Sequence, residues 1–385
     1  MRVLVAFDKF KDALTAPVAC DLAAAVIAQS QPDWSVTTCP LADGGEGFAP
    51  ILTHAVGGTW HEATVTGPRG APTAAGFGLV DIGKLPAAAR TRLNLGEVDG
   101  PLAVIEMATA SGLQALTTAE RDPWHTTSRG TGELITAAVS AGAAAALLGV
   151  GGSATNDVGL GALAALGWRV ETAAGESLAV PYPHHWTKIS RLDPPAVPPP
   201  VLRIACDVNN PLLGPRGATA VFGPQKGLRP ADFDALEAGV ARVATLIADA
   251  AGRPGLTTAP GAGAAGGIAY GLLTAAGAKL VPGFDLVEEW LDLDAKLTGA
   301  DLVITGEGRF DESSLEGKGP GSLATRAAAA GKPVWIFAGS VERPATINDR
   351  WRIRAITPAG TSLPDALAQA GPNLTRTVAQ ALAEA

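Results

Sequence analysis

Leu302-Val303-Ile304-Thr305-Gly306-Glu307-Gly308-Arg309-Phe310-Asp311 opens as an unbroken apolar run and stops in a polar glycine turn. Beyond it, Pro320 and Gly321 lead into an alanine-rich stretch through Ala330, which reads as a helix. An apolar run without alternation, then a glycine turn, then a helix, is the pattern of a strand buried on both faces of a parallel sheet. Ligands of open α/β sheets bind beyond the carboxyl ends of such strands. This turn carries Glu307, Arg309 and Asp311, and Lys318 follows. A structural turn needs the glycines but not that set of charges, so the stretch points to a site.

The same grammar governs the amino terminus. Residues 2–6 predict a strand cut off by Asp8-Lys9-Phe10-Lys11, and residues 18–29 a helix with Thr15 as N-cap and Pro17 in its first turn. A second strand, 35–39, runs into Pro40-Leu41-Ala42-Asp43-Gly44-Gly45-Glu46-Gly47, and a helix over 48–56 stops at Gly57-Gly58. After residue 300 come strands 302–305, 333–338 and 353–356 and a last helix, 372–384. Two strands at the start and three at the end predict a doubly wound, five-stranded parallel sheet of α/β class.

Between these arms the pattern changes. Residues 60–66 and 76–81 alternate around Gly-Pro and Ala-Pro turns, which predicts antiparallel strands. Strands at 102–106, 144–150 and 202–206 and helices at 133–140 and 230–251 follow, and the proline-rich stretch 181–200 reads as a surface excursion. The expected organisation is therefore discontinuous. Residues 1–58 and 291–385 form one domain and 59–290 an inserted α/β domain, with a ligand in the cleft between them.

Composition narrows the function. Of 385 residues 47% are hydrophobic and 17% charged, so a large core is easily buried. A net charge of −8 with no basic face argues against a nucleic-acid partner, while local cations can still hold an anionic small molecule. Cys20, Cys39 and Cys206 lack metal-ligand spacing and read as reduced thiols. A strand that begins within two residues of Met1 leaves no room for a signal peptide, and no apolar stretch reaches membrane-span length. The expectation is a soluble, cytoplasmic protein with no membrane partner. The sequence leaves a homo-oligomer open.

Acids recur where strands end: Asp8, Asp43, Glu46, Asp157, Asp207, Glu307 and Asp311. Phosphoryl transfer needs a carboxylate to hold Mg²⁺ and often one to orient or deprotonate the attacking hydroxyl. The matching cations are Lys9, Lys11, Arg216, Lys226, Arg309 and Lys318, of the kind that an anionic substrate and a triphosphate require. Gly149-Val150-Gly151-Gly152-Ser153-Ala154 follows a strand and could cradle phosphates with backbone N–H groups. Pro260 to Gly267 is a second glycine-rich stretch, suited equally to close helix packing. No P-loop, no G-x-G-x-x-G after the first strand, no G-x-S-x-G and no histidine metal pattern occurs.

Taken together the segments resemble the class I glycerate kinase family from end to end. They are Asp8-x-Phe10-Lys11, Ala42 to Gly47, Gly130-Thr131-Gly132-Glu133, Gly151 to Asp157, Cys206-Asp207-Val208-x-Asn210-Pro211-Leu212, Phe222 to Gly227, Pro260 to Gly267, and Gly306-Glu307-Gly308-Arg309-x-Asp311. The resemblance implies a flavodoxin-like domain with an inserted second domain. It also implies an ATP- and Mg²⁺-dependent kinase acting on D-glycerate, most often yielding 2-phosphoglycerate. Departures are Lys9 where the family usually has Ser, Asp12 where Gly is usual, and Val158 where Gly commonly follows Asn-Asp.

On that resemblance Asp43 or Asp8 orients or deprotonates the glycerate hydroxyl. Lys11 and Arg309 grip the carboxylate or the γ-phosphate, with Lys226 a further substrate contact. Glu307, Asp311 or Asp207 hold Mg²⁺. Gly151, Gly152, Ser153 and Asn156, with Gly263 and Gly266, line the nucleotide. Competing expectations are a D-glycerate 3-kinase or a kinase of a related hydroxy acid, an NAD-dependent hydroxy-acid dehydrogenase, which lacks its glycine fingerprint here, and a small-molecule binding protein without catalysis.

Overall fold

The computed structural model describes residues 1–42, 44–315, 319–342 and 348–384. In chain order its strands are β1 (Arg2–Phe7), β2 (Ser35–Thr38), β3 (Thr59–Thr66), β4 (Pro72–Val80), β5 (Leu102–Glu106), β6 (Ala145–Gly149) and β7 (Arg169–Thr172). They continue with β8 (Ile189–Asp193), β9 (Val201–Ala205), β10 (Lys279–Val281), β11 (Leu302–Phe310), β12 (Val334–Val341) and β13 (Trp351–Ala355). The chain forms two compact units, residues 1–43 with 287–385, and residues 44–286.

The first unit is built on the sheet β13-β12-β11-β1-β2, parallel throughout. Counted within the unit, the strand order is 2-1-3-4-5, the flavodoxin-like order, whose connections reverse direction between β1 and β11. β1 is buried along nearly its whole length, as a central strand covered on both faces must be. Val3, Val5, Phe7, Ile304 and Phe337 share a core with Ala19, Cys20 and Ile27 of the helix Ala16–Ser30 and with Leu374 and Val378 of the helix Ala370–Ala383. Thr15 starts the first of these helices, its hydroxyl accepting the Val18 N–H at 3.5 Å.

β11 runs past the expected end at Thr305 and carries Gly306 to Phe310 within the strand. The reason is a close approach of two backbones. A Cβ on Gly306 would lie 1.7 Å from the Phe337 carbonyl oxygen, so only glycine lets β11 and β12 stay paired there. What reads as a turn is the continued edge of the ladder, and it holds Glu307 and Arg309 at fixed register.

The second unit has a six-stranded sheet, β10-β9-β6-β5-β4-β3. β10, β9, β6 and β5 are parallel, and β4 and β3 are antiparallel, as the alternation over 60–66 and 76–81 predicts. Its core includes Ile105, Leu148, Ile204, Leu134, Val240, Ile268 and Tyr270. The proline-rich stretch is less superficial than its composition suggests. Trp186 within it is 2% exposed, and β8 pairs with β7. Among the described residues no helix is long and apolar enough to cross a membrane.

Candidate active site

In the first unit, the loops after β1 and along β11 meet where the connections change direction, the position at which open α/β sheets bind ligands. The Asp8 N–H donates to the Gly306 carbonyl at 3.0 Å, which ties the two segments together. Asp8 Oδ1 accepts the Lys9 N–H at 2.7 Å and lies 3.6 Å from Lys9 Nζ. Glu307 is partly buried, and its Oε1 has no hydrogen-bond partner among the described residues. Burial pushes the Glu307 carboxyl up to about 7. The negative charges of Asp8 and Asp311 add to that rise, while a hydrogen bond with Ser314 and the Lys9 ammonium oppose it.

Arg309 is exposed and spans two acids, Nε lying 2.9 Å from Asp311 Oδ2 and a terminal nitrogen 2.5 Å from Glu342 Oε2. Lys11 opens the exposed turn after β1. The unit thus brings Asp8, Lys9, Lys11, Glu307, Arg309 and Asp311 into one corner. Asp43 and Lys318 lie outside the described residues.

This corner fits a hard divalent cation. Mg²⁺ binds through one or two carboxylates, waters and substrate phosphates rather than a full protein cage. Glu307 offers a buried carboxylate oxygen without a partner among the described residues, and mutual repulsion with Asp8 and Asp311 would be relieved by positive charge. Among the described residues no set of three or more His, Cys, Asp or Glu groups forms a complete metal cage.

The second unit collects a different kind of loop. β6 ends at Gly149, and Gly151 and Gly152 are its accessible part, whereas Ser153 to Asp157 are buried. Asp157 is fully buried and accepts hydrogen bonds from the Ser128 N–H at 2.7 Å, the Ser128 hydroxyl at 2.8 Å, the Gly161 N–H at 3.2 Å and the Gly159 N–H at 3.1 Å. Burial pushes its carboxyl up and those donors pull it back. Lys226 is 1% exposed; its Nζ donates to Ser153 Oγ at 2.9 Å and to the Thr155 carbonyl at 2.7 Å. Asn156 Nδ2 reaches Thr219 Oγ1 at 3.4 Å.

The two glycine-rich stretches read separately in the sequence meet here. Ala265, Gly266 and Gly267 all have positive φ, and a Cβ on Gly266 would sit 1.9 Å from the Thr155 carbonyl oxygen. Gly263 backs instead onto Pro211, whose carbonyl oxygen a Cβ would meet at 2.2 Å. Asp207 follows β9 and accepts the Phe284 N–H on both oxygens at 3.1 Å, near the start of the helix Gly283–Trp290. It belongs to the second unit, while Glu307 and Asp311 belong to the first.

Sequence reasoning passed over Glu106, the buried last residue of β5. Its Oε2 accepts the Gly47 and Ala49 N–H groups at 3.1 and 3.2 Å and so anchors the segment after Asp43. The signal was present: an acid closes the apolar run Leu102-Ala103-Val104-Ile105, as acids close the other strands. Ser128 and Thr219 carried no such signal, because neither stands at a strand end.

A two-unit α/β chain with partly buried carboxylates and cations at its strand ends has the make-up of a phosphotransferase for a small anionic acceptor. The model of the glycerate kinase family matches residues 3–385. A glycerate kinase of Bacillus subtilis (strain 168) is 39% identical over 384 residues, 98% of this chain and 96% of that protein. A glycerate 2-kinase of Escherichia coli (strain K12) is 37% identical over 367 residues, 94% of this chain and 91% of that protein. A crystal structure from Salmonella typhimurium LT2, assigned as glycerate kinase 2, is similar at TM-score 0.76 and 36% identity, covering 100% of this chain and 98% of that one. This chain belongs to the glycerate kinase family, and it is an enzyme, a phosphotransferase.

The family's departures gain a structural meaning. Asp12 and Val158, which stand where the resemblance leads one to expect glycine, have φ of 60° and 57°. The backbone keeps the left-handed conformation although the residue no longer favours it.

Proposed function

We propose that the protein transfers the γ-phosphoryl group of ATP to the 2-hydroxyl of D-glycerate, giving 2-phospho-D-glycerate and ADP with Mg²⁺. Two supports carry the reading: similarity to a glycerate 2-kinase along 94% of the chain, and the carboxylate corner at the switch point between β1 and β11. In this reading Glu307 and Asp311 hold the cation. Asp207, in the second unit, has both oxygens engaged by the Phe284 N–H. Bound Mg²⁺ would neutralise charge building on the phosphoryl oxygens.

Asp8 and Asp43 are the carboxylates proposed to orient the glycerate hydroxyl or accept its proton. Lys11 and Arg309 are proposed to hold the glycerate carboxylate or the γ-phosphate, Arg309 exchanging its links with Asp311 and Glu342 for the ligand. Gly151 and Gly152 are proposed to line the nucleotide phosphates, with the Gly152 N–H as the donor, since the Gly151 N–H is given to the Gly44 carbonyl at 3.1 Å.

The test is ADP release with Mg-ATP and D-glycerate, with L-glycerate and no-acid controls, the product being coupled to enolase, which accepts 2-phosphoglycerate. D-glycerate-dependent ADP with an enolase signal is the expected result. ADP without the signal would give the 3-phosphate, and no glycerate-dependent ADP would reject the reading.

A further inference from the structure

Lys226 looks in sequence like one more cation for an anionic ligand, but its environment is that of a support. It is 1% exposed, and its amine bonds to Ser153 Oγ and the Thr155 carbonyl. Those two atoms lie two residues apart in one loop, so a single group clamps the turn from beneath. Around the clamp the loop is thinly held by its own side chains. Thr155 Oγ1 and Asn156 Oδ1 are buried without hydrogen-bond partners among the described residues, and the Asn156 amide has one long bond. Next to the clamp Gly152 is exposed, while Gly151 is half-buried and gives its N–H to the Gly44 carbonyl at 3.1 Å.

Burying an ammonium is costly, and here the cost is offset by the bonds to Ser153 and Thr155 and by the nearby Asp157 charge. Asp157, fully buried and close enough to favour the charged lysine, makes the ammonium tolerable without bonding to it directly.

We propose that Lys226 is a positioning residue, which fixes Ser153 and Thr155 from below and so sets how tightly the Gly151-Gly152 crest holds a nucleotide phosphate. It meets neither the nucleotide nor the acceptor. The inference rests on the reading above that this crest faces phosphate.

The test compares wild type, Lys226→Met, Ser153→Ala and the double variant. Affinity for Mg-ATP is measured by calorimetry, KM by steady-state kinetics, melting temperature by scanning calorimetry, and loop order by hydrogen exchange of residues 153–156. Losing a hydrogen bond from a charged group corresponds to about a tenfold weaker Kd. Lys226→Met is expected to weaken Mg-ATP binding and raise KM for ATP by about that factor. KM for D-glycerate should stay within about twofold. The melting temperature should fall only modestly, since the cost of two stranded acceptors is set against relief from burying an ammonium, and exchange in 153–156 should be faster. Ser153→Ala should show a smaller loss of the same kind, and the double variant should be no worse than Lys226→Met, because both act through one clamp.

A rise in KM for glycerate with ATP binding intact would overturn the proposal and make Lys226 a substrate contact. A lower melting temperature with both affinities unchanged would overturn it too, leaving a purely structural lysine. Should Lys226→Met not fold, Ser153→Ala with unaltered ATP affinity would be the refuting result. Wild type that phosphorylates glycerate while residues 151–156 show no protection on adding ATP would sink the phosphate-crest reading. Slower exchange there in wild type than in Ser153→Ala would still report the clamp.

Discussion

The two units treat buried charge in opposite ways. Around Glu307, acids stand close together with one oxygen lacking a partner among the described residues, and the carboxyl is pushed up to about 7. Around Asp157, a fully buried carboxylate has four donors, and a buried lysine holds the adjoining loop by two bonds. Satisfied charge holds a shape, whereas unsatisfied charge waits for something to bind. The difference separates scaffold from reacting centre more clearly than the residue types, which are carboxylates and lysines in both places.

The comparison can be broken first at Asp157. Asp157→Ala strips partners from the buried Ser128, Gly159 and Gly161 N–H groups, so stability should drop by about 3 kcal/mol or more. Urea denaturation measures it. A loss of well under about 1 kcal/mol would mean that the network is not the scaffold described.

A pH series sharpens the contrast, because the two groups slope in opposite senses. Burial holds the Glu307 carboxyl up at about 7 in the folded chain, against an ordinary value of 4.5. Between those values the folded chain keeps a proton that the unfolded chain has released, so its contribution to stability falls as pH rises from 4.5 toward 7. Lys226 titrates near 7 when folded against 10.5. Between those values the unfolded chain holds the extra proton, so this contribution rises with pH above 7. In chelator-treated protein, Glu307→Gln should remove the first slope and leave the second; Lys226→Met should do the reverse. Identical profiles for both variants would erase the distinction.

The smallest effect lies at Asp12. Its left-handed backbone is exposed, so Asp12→Gly should stabilise the protein by about 1 kcal/mol or less. A clear loss on thermal melting would show that the Asp12 side chain has a role of its own.

Much of this arrangement was legible in the chain. Parallel strands announce themselves as apolar runs, and Asp8, Glu307, Arg309 and Asp311 stand where such runs end, so one rule finds strand and site together. β11 escaped that rule because Gly306, which suggests a turn, is what lets two backbones approach at Phe337. The burial of Lys226 was not legible because it depends on distant segments, here Ser153 to Asp157, that local pattern does not reveal. Trp186 was lost in a proline-rich stretch for the same reason. The left-handed backbone at Val158 is likewise invisible from a β-branched residue, and only the expected glycine hints at it.

The measurement closest to the central claim is glycerate-dependent ADP formation by Glu307→Gln at saturating Mg-ATP, beside wild type, with both melting temperatures. Loss of about two orders of magnitude or more in kcat at an unchanged or higher melting temperature is predicted, as for removal of a group that stabilises transition-state charge. Turnover equal to wild type would contradict the assignment of the chemistry to the corner between β1 and β11.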